Sequence, residues 1–254
     1  MTQEWRHAFE DFEGHLLKLD WSNQTPSRRG ILQAFLRLAI EHGFNSVSMR
    51  MIAREVKVKA PSLYAHFPDG RDEIVAESLR WHFYRFGMAI VEDVKEVTDP
   101  REAWRRMVRV HVIRQLTLPE SNLWDLLVAT DRMARFLPSS LREEADAWVD
   151  LYEALYRAAA ADMGHESPAR AVKFAMTILE GASRWAAWDG RRDSLDERVE
   201  EATTCTLALL WPGPASGRQR LRRGRAARAR PERGVVEPAA GSEPDSRPPI
   251  QGDM

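Results

Sequence analysis

Apolar positions recur at helical spacing from the start of the chain. Trp5, Phe9, Phe12, Leu16 and Leu19 fall at i, i+4, i+7, i+11 and i+14, one stripe on an amphipathic helix predicted over 3–20 and weakened by Gly14. Such a stripe packs on its own domain or touches DNA or a partner. Thr25 or Ser27 then caps a second helix, which ends at Gly43 and turns Ile31, Phe35, Leu38 and Ala39 inward. Ser48 caps a third, MRMIAREV, burying Ile52, Ala53 and Val56. After a break at 57–59, a very short helix is predicted over 60–67. Pro61 suits its first turn, where a missing N–H does no harm, and Leu63 and Phe67, four apart, face inward. Tyr64, Ala65 and His66 must then point outward or sideways.

Pro68, Asp69 and Gly70 form a turn, followed by a long helix over 72–97 with Ile74, Leu79, Phe83, Phe86 and Ile90. Further helices are predicted over 100–118, 120–137, 138–163, 168–189 and 195–211, most of them separated by Pro or Asp-Gly. Neither a repeat nor a strand pattern is present, so the fold class is all-α. From Pro212 the apolar period stops. The last 43 residues hold seven of the 14 prolines, and RQRLRRGRAARARPERG carries eight arginines and one acid. That composition predicts a disordered, solvated tail over 212–254, whose arginines could add nonspecific attraction to nucleic acid.

Composition narrows the function. The 254 residues carry a net charge of only −1, yet 27–71 hold eight Arg/Lys against three acids, and 1–26 two against five. One segment is locally basic inside a neutral chain. Cys205 is the single cysteine, which excludes an intrachain disulfide and a cysteine-based zinc site. It reads as a small buried hydrophobe. No run reaches the roughly 18 apolar residues of a membrane span, and MTQEWRHAFEDF is too acidic for a signal peptide. A cytoplasmic protein with no membrane contact is expected. No nucleophile motif, glycine-rich phosphate loop or H-E-x-x-H spacing occurs, so neither an enzyme nor a cofactor or metal is expected.

A helix, a tight break and a short helix make a helix-turn-helix, whose second member enters a major groove and whose first crosses the backbone. The residues also carry a resemblance. Gly43-Phe44, Ser48-x-Arg50-x-Ile52-Ala53 and Leu63-Tyr64-x-His66-Phe67 together resemble the DNA-binding domain of the TetR family of bacterial repressors. The match spans about 45 residues, 31–75.

The resemblance implies four segments: an N-terminal extension at 1–26, the DNA-binding domain at 27–71, a helical ligand-binding and dimerisation domain at 72–211, and the tail. It places Ser48 and Arg50 near the phosphates and the groove edge. Ala60, Pro61, Ser62, Tyr64 and His66 form the recognition surface, with Lys59 beside them. Three positions depart from the family pattern. Lys57 stands where a left-handed turn favours Gly, Lys59 where Ser or Thr caps the recognition helix, and Gly70 where a phosphate-binding Lys is common; Arg71 is the candidate substitute. A non-glycine at Lys57 costs on the order of 1 kcal/mol if the turn is kept.

These features imply a homodimeric regulator, by family default a repressor, on a palindromic double-stranded operator. The alternative is a helical adaptor that kept the fold and lost DNA recognition. The segment ARAVKFAMTILEGASRWAAW is apolar nearly all round and, with LDERVEEATTCTLALLW, resembles the family's four-helix dimer interface. Trp104, His111 and Gln115 share one stripe, and Trp148 and Tyr152 another. With Trp124 and Trp185 these are candidate walls of a cavity for a small, largely apolar effector. Each is equally readable as core.

Overall fold

Caps and prolines set most of the helix starts. In the computed structural model, which describes residues 1–19, 21, 24–135 and 137–211, Thr2 Oγ1 accepts the Trp5 amide and opens α1, Gln3–Leu17. Thr25 caps α2, Pro26–His42, at Arg28, and Ser48 caps α3, Met49–Glu55, at Met51. The short α4, Ala60–His66, leads through a turn into α5, Arg71–Val94. Asp99 caps α6, Pro100–Thr117, at Glu102, and Pro119 opens α7, Pro119–Ala134. Four helices complete the body: α8, Ser139–Asp162; α9, Ala169–Glu180; α10, Ala182–Trp185; and α11, Arg192–Leu210. No strand occurs among the described residues. The Arg- and Pro-rich tail predicted to be disordered lies outside them.

Two apolar clusters fill the unit Met1–Pro212. One joins α2, α3 and α4 to the first half of α5, and draws in Trp124 and Leu127 of α7 with Leu137 and Leu141. The other joins α1, the second half of α5, α6, α8, α9 and α11. Helix α5 therefore runs through both cores, with Ile74 and Leu79 in the first and Phe86 and Ile90 in the second.

Helix α1 packs on α8 and α5. Phe12 and Leu16 are fully buried, while Phe9 is half-buried and Leu19 lies beyond the helix end. The approach to α5 depends on Gly87. A Cβ there would stand 2.6 and 2.7 Å from the Leu16 methyls and 3.1 Å from Phe12. Asp162, the last residue of α8, takes the Thr2 amide at 2.8 Å and the Thr2 hydroxyl at 2.5 Å, fixing the start of α1.

Two expectations need correction. The helix predicted over 168–189 is neither continuous nor apolar all round. It breaks at Gly181, a poor helix former, and Trp185 Nε1 donates to the Ile178 carbonyl at 2.7 Å across the break. Ala171, Val172, Ala175, Met176 and Leu179 form its buried face, while Lys173, Phe174, Thr177 and Glu180 are exposed. Cys205 is exposed, not buried, because its side of α11 faces away from α6 and α9.

Candidate nucleic-acid interface and ligand cavity

The turn between α3 and α4 is built by backbone bonds. The Val58 amide reaches back to the Ala53 carbonyl at 2.9 Å, and the Lys57 amide to Arg54 at 3.2 Å, the Schellman arrangement. That arrangement needs a left-handed residue after the cap. Lys57 supplies it at φ 57°, so the turn has its usual shape despite lacking glycine. Lys59 caps α4 with no side-chain acceptor, as its chemistry dictates.

Leu63 and Phe67 are fully buried, which turns Pro61, Ser62, Tyr64 and Ala65 outward. Ala60 and His66 are half-buried; Ser48, Arg50, Lys57 and Lys59 are exposed. Arg50, Lys57 and Lys59 make no ion pair among the described residues, so an exposed basic surface borders α4. Tyr64 is 49% exposed, and its ring lies against Gly70, where a Cβ would stand 3.2 Å from Cε1. Gly70 itself sits at φ 72°, a backbone shape that favours glycine, and any side chain there would press on the Tyr64 ring.

Arg71 turns inward. Its Nε donates to the Val47 carbonyl at 2.9 Å, its Nη2 to Phe44 at 2.7 Å, and its guanidinium lies 5.0 Å from the Phe44 ring centroid. Sequence reasoning missed Arg28, which holds α4 in place. The Arg28 guanidinium sits 4.2 Å from the Phe67 centroid, donates to the His66 carbonyl, and lies 3.7 and 3.6 Å from Glu73 and Glu77 of α5. Read as one of several cations, it carried no signal of that role.

Of the seven cavity candidates, His111, Gln115, Trp124, Trp148 and Tyr152 meet around an internal cavity of about 70 Å³. Trp104 and Trp185 do not. Trp104 lies in the deep core, donating to Thr206 Oγ1 at 3.1 Å and meeting Tyr156 edge-on, and Trp185 closes the break after α9. The rest of the wall includes His82, Phe83, Phe86, Asp125, Met176 and Glu180. Phe83 and Phe86 read as core in the sequence. Asp125 was legible only as one acid inside the apolar run NLWDLLV.

The wall is aromatic but not purely apolar. Phe83 stacks on Trp148 at 4.6 Å, and Phe86 meets Trp148 and Tyr152 edge-on at 5.8 and 5.7 Å. Burial pushes both imidazoles down to about 3, helped at His82 by Arg114 and Arg85, so both are neutral. His111 Nδ1 shares a hydrogen bond with the Tyr152 hydroxyl at 3.0 Å. Burial raises the Asp125 carboxyl to about 7, with Glu180 adding to the rise and the Gln115 and Arg184 interactions opposing it. Gln115 Nε2 donates to Asp125 at 2.5 Å and to the Glu180 carbonyl at 3.1 Å. The indole N–H groups of Trp124 and Trp148 are buried without a partner among the described residues. A second void of about 150 Å³ lies beyond the Phe83–Trp148 pair, against α1.

Trp124 connects cavity and reader. It lines the cavity, meets His82 at 6.4 Å, and meets Phe44, the residue that seats Arg71, edge-on at 6.3 Å.

Residues 31–77 match the family profile of bacterial regulatory proteins, tetR family. No curated protein matches the chain. Solved structures share its fold. A transcriptional regulator from Saccharomonospora viridis, in complex with choline, is 20% identical with a TM-score of 0.60, over 71% of this chain and 95% of that one. The TetR-family regulator PfmR from Thermus thermophilus is 24% identical, TM-score 0.56, over 76% and 100%. AibR, solved with isovaleryl coenzyme A and operator DNA, is 18% identical, TM-score 0.56, over 74% and 99%. Residues 31–77 thus match the DNA-binding domain of the tetR family of bacterial regulatory proteins, and most of the described body shares its fold with solved regulators, among them one of that family.

Proposed function

We propose that this protein is a homodimeric repressor that leaves a palindromic operator when a small molecule fills the cavity. The observation that carries the proposal is the double role of Trp124, a wall of the cavity and a contact of Phe44 in the DNA-binding core. Two copies pair through the outer face of α9 and α11, where Phe174, Cys205, Ala208 and Trp211 are exposed. Their α4 helices then enter major grooves about 34–36 Å apart. Arg50, Lys59 and the Tyr64 hydroxyl serve phosphates, with Ser48 at the groove edge; Ala60, Pro61, Ser62 and His66 complete the recognition surface. That neighbours of this fold were solved with choline, or with isovaleryl coenzyme A and operator DNA, supports a ligand-controlled reader.

Ligand acts by preferring the DNA-incompetent arrangement; a preference of about 1–3 kcal/mol gives roughly 5–150-fold release. A ligand that enlarges the cavity displaces Trp124, and with it Phe44 and the Arg71 anchor at the start of α5. Such a protein works in the cytoplasm, where the DNA is; no described helix is long and apolar enough to cross a membrane.

The test is retention of sheared genomic DNA, followed by mobility shifts on the recovered fragment across a salt series. Log affinity is expected to fall linearly with log salt, by about 0.9 per phosphate contact. Arg50→Ala or Tyr64→Phe weakens binding about tenfold or more if each holds a phosphate. A protein that stays as single subunits, or ignores every duplex at low ionic strength, overturns the proposal.

A further inference from the structure

The cavity wall carries more chemical information than its aromatic content. Five Phe, Trp and Tyr side chains surround it, the two histidines are neutral, and among the described residues no Lys or Arg lines it. Asp125 contributes a carboxyl on α7 that makes no ion pair among the described residues; its hydrogen-bond partner is the neutral Gln115 amide. Aromatic faces present negative electrostatic potential, and a cation between several of them is favoured most where water is excluded. An anionic ligand would meet those faces, Asp125 and Glu180 with no cation among the described lining residues to balance it. The unpartnered indole N–H groups of Trp124 and Trp148 accommodate a hydroxyl or carbonyl oxygen near the charge, and do not offset that repulsion.

We propose that the effector of this cavity is a small organic cation of the alkyl- or methylated-ammonium class, boxed by Phe83, Phe86, Trp124, Trp148 and Tyr152 with Asp125 as its counter-charge. The inference rests on the ligand-controlled reading above and names its ligand class. The head fits between α5, α7 and α8. The Phe83–Trp148 pair separates it from the second void, into which a substituent extends if either ring turns. Because the cation favours the carboxylate, Asp125 ionises on binding, and affinity rises with pH through 7. Around Asp125 stand the lining groups His82 of α5, His111 and Gln115 of α6, Tyr152 of α8 and Glu180 of α9, with Arg184 of α10 acting on it electrostatically and Arg114 of α6 over Phe86. The histidines stay neutral from pH 6 to 8, whereas Asp125 changes charge there.

The experiment uses the full chain without DNA. Tetramethylammonium, choline and benzyltrimethylammonium are titrated against their neutral carbon isosteres, in which a quaternary carbon replaces nitrogen, by calorimetry and tryptophan fluorescence. At least one cation is expected to bind roughly tenfold or more tightly than its isostere. Its affinity rises towards tenfold from pH 6 to pH 8, as Asp125 goes from mostly protonated to mostly ionised. Asp125→Asn lowers cation affinity about tenfold, leaves the isostere unchanged and flattens the pH profile. Isosteres that bind as tightly as every cation overturn the proposal on the wild-type chain alone, even if the variant fails to fold; so does a folded Asp125→Asn with undiminished cation affinity. Operator binding, measured separately on the ligand-free chain, shows whether the regulator reading itself has failed.

Discussion

Lys57 allows the cost of one backbone position to be separated from the use of one charge. At φ 57° it holds the left-handed residue of the turn that orients α4, and its side chain is exposed with no ion pair among the described residues. A left-handed non-glycine costs about 1–2 kcal/mol. Glycine relieves that strain but loses roughly 0.5–1 kcal/mol through its greater freedom in the unfolded chain. Lys57→Gly should therefore stabilise the protein by about 0.5–1 kcal/mol, or about 1–4 °C in Tm for a chain of this size. Lys57→Ala removes the same charge and keeps the strain, so its stability should stay within about 0.5 kcal/mol of wild type. Urea unfolding and mobility shifts on both variants form the assay. If Lys57 meets a phosphate, both lose about 0.9 from the salt slope, irrespective of stability. A Lys57→Gly no more stable than Lys57→Ala would refute the argument, because the strain assigned to the turn would be absent.

Two further outcomes follow from packing and from burial. Gly87→Ala should destabilise the protein by about 1–2 kcal/mol, since overpacking against Leu16 exceeds the helix-propensity gain. Combined with Leu16→Ala it should cost less than the sum of the two single changes, and additive costs in urea unfolding would show that the two sites do not touch. The His111 imidazole is held well below its ordinary value, so the unfolded chain binds the extra proton and stability falls as pH drops from 6.5 towards 3. His111→Phe should lessen that slope by up to about 1.4 kcal/mol per pH unit, measured by urea unfolding at pH 6.5 and 4.5. Asp125, whose raised pKa acts in the opposite sense up to about pH 7, is present in both proteins and cancels in the comparison.

The reader domain was legible because its determinants are local. Caps at Thr25 and Ser48, the proline at the start of α4 and the inward pair Leu63 and Phe67 lie within a few residues of what they specify. Lys57 was legible as a departure from glycine, but the sequence did not say that the turn keeps its usual left-handed shape. Arg71 shows where this stops. Its neighbours in sequence suggest a phosphate contact, but its guanidinium is committed to Val47 and Phe44, more than twenty residues away. Cys205 and α9 went astray for a related reason: composition counts the apolar residues of a helix but does not say which face other helices cover.

By itself the sequence determined that the chain is helical, where most helices start, and that 27–71 carry a basic helix-turn-helix pattern, because periodicity, capping and turn chemistry act over one or two helical turns. Only the tertiary structure decided that α1 joins the core of α6, α8, α9 and α11, that Arg28 anchors α4, that Trp104 and Trp185 stand outside the cavity, and that His82, Phe83, Phe86 and Asp125 stand around it. Those facts depend on which faces of five helices converge. A cavity has no local code: its wall is assembled from residues up to about a hundred positions apart, each of which, in its own helix, looks like core.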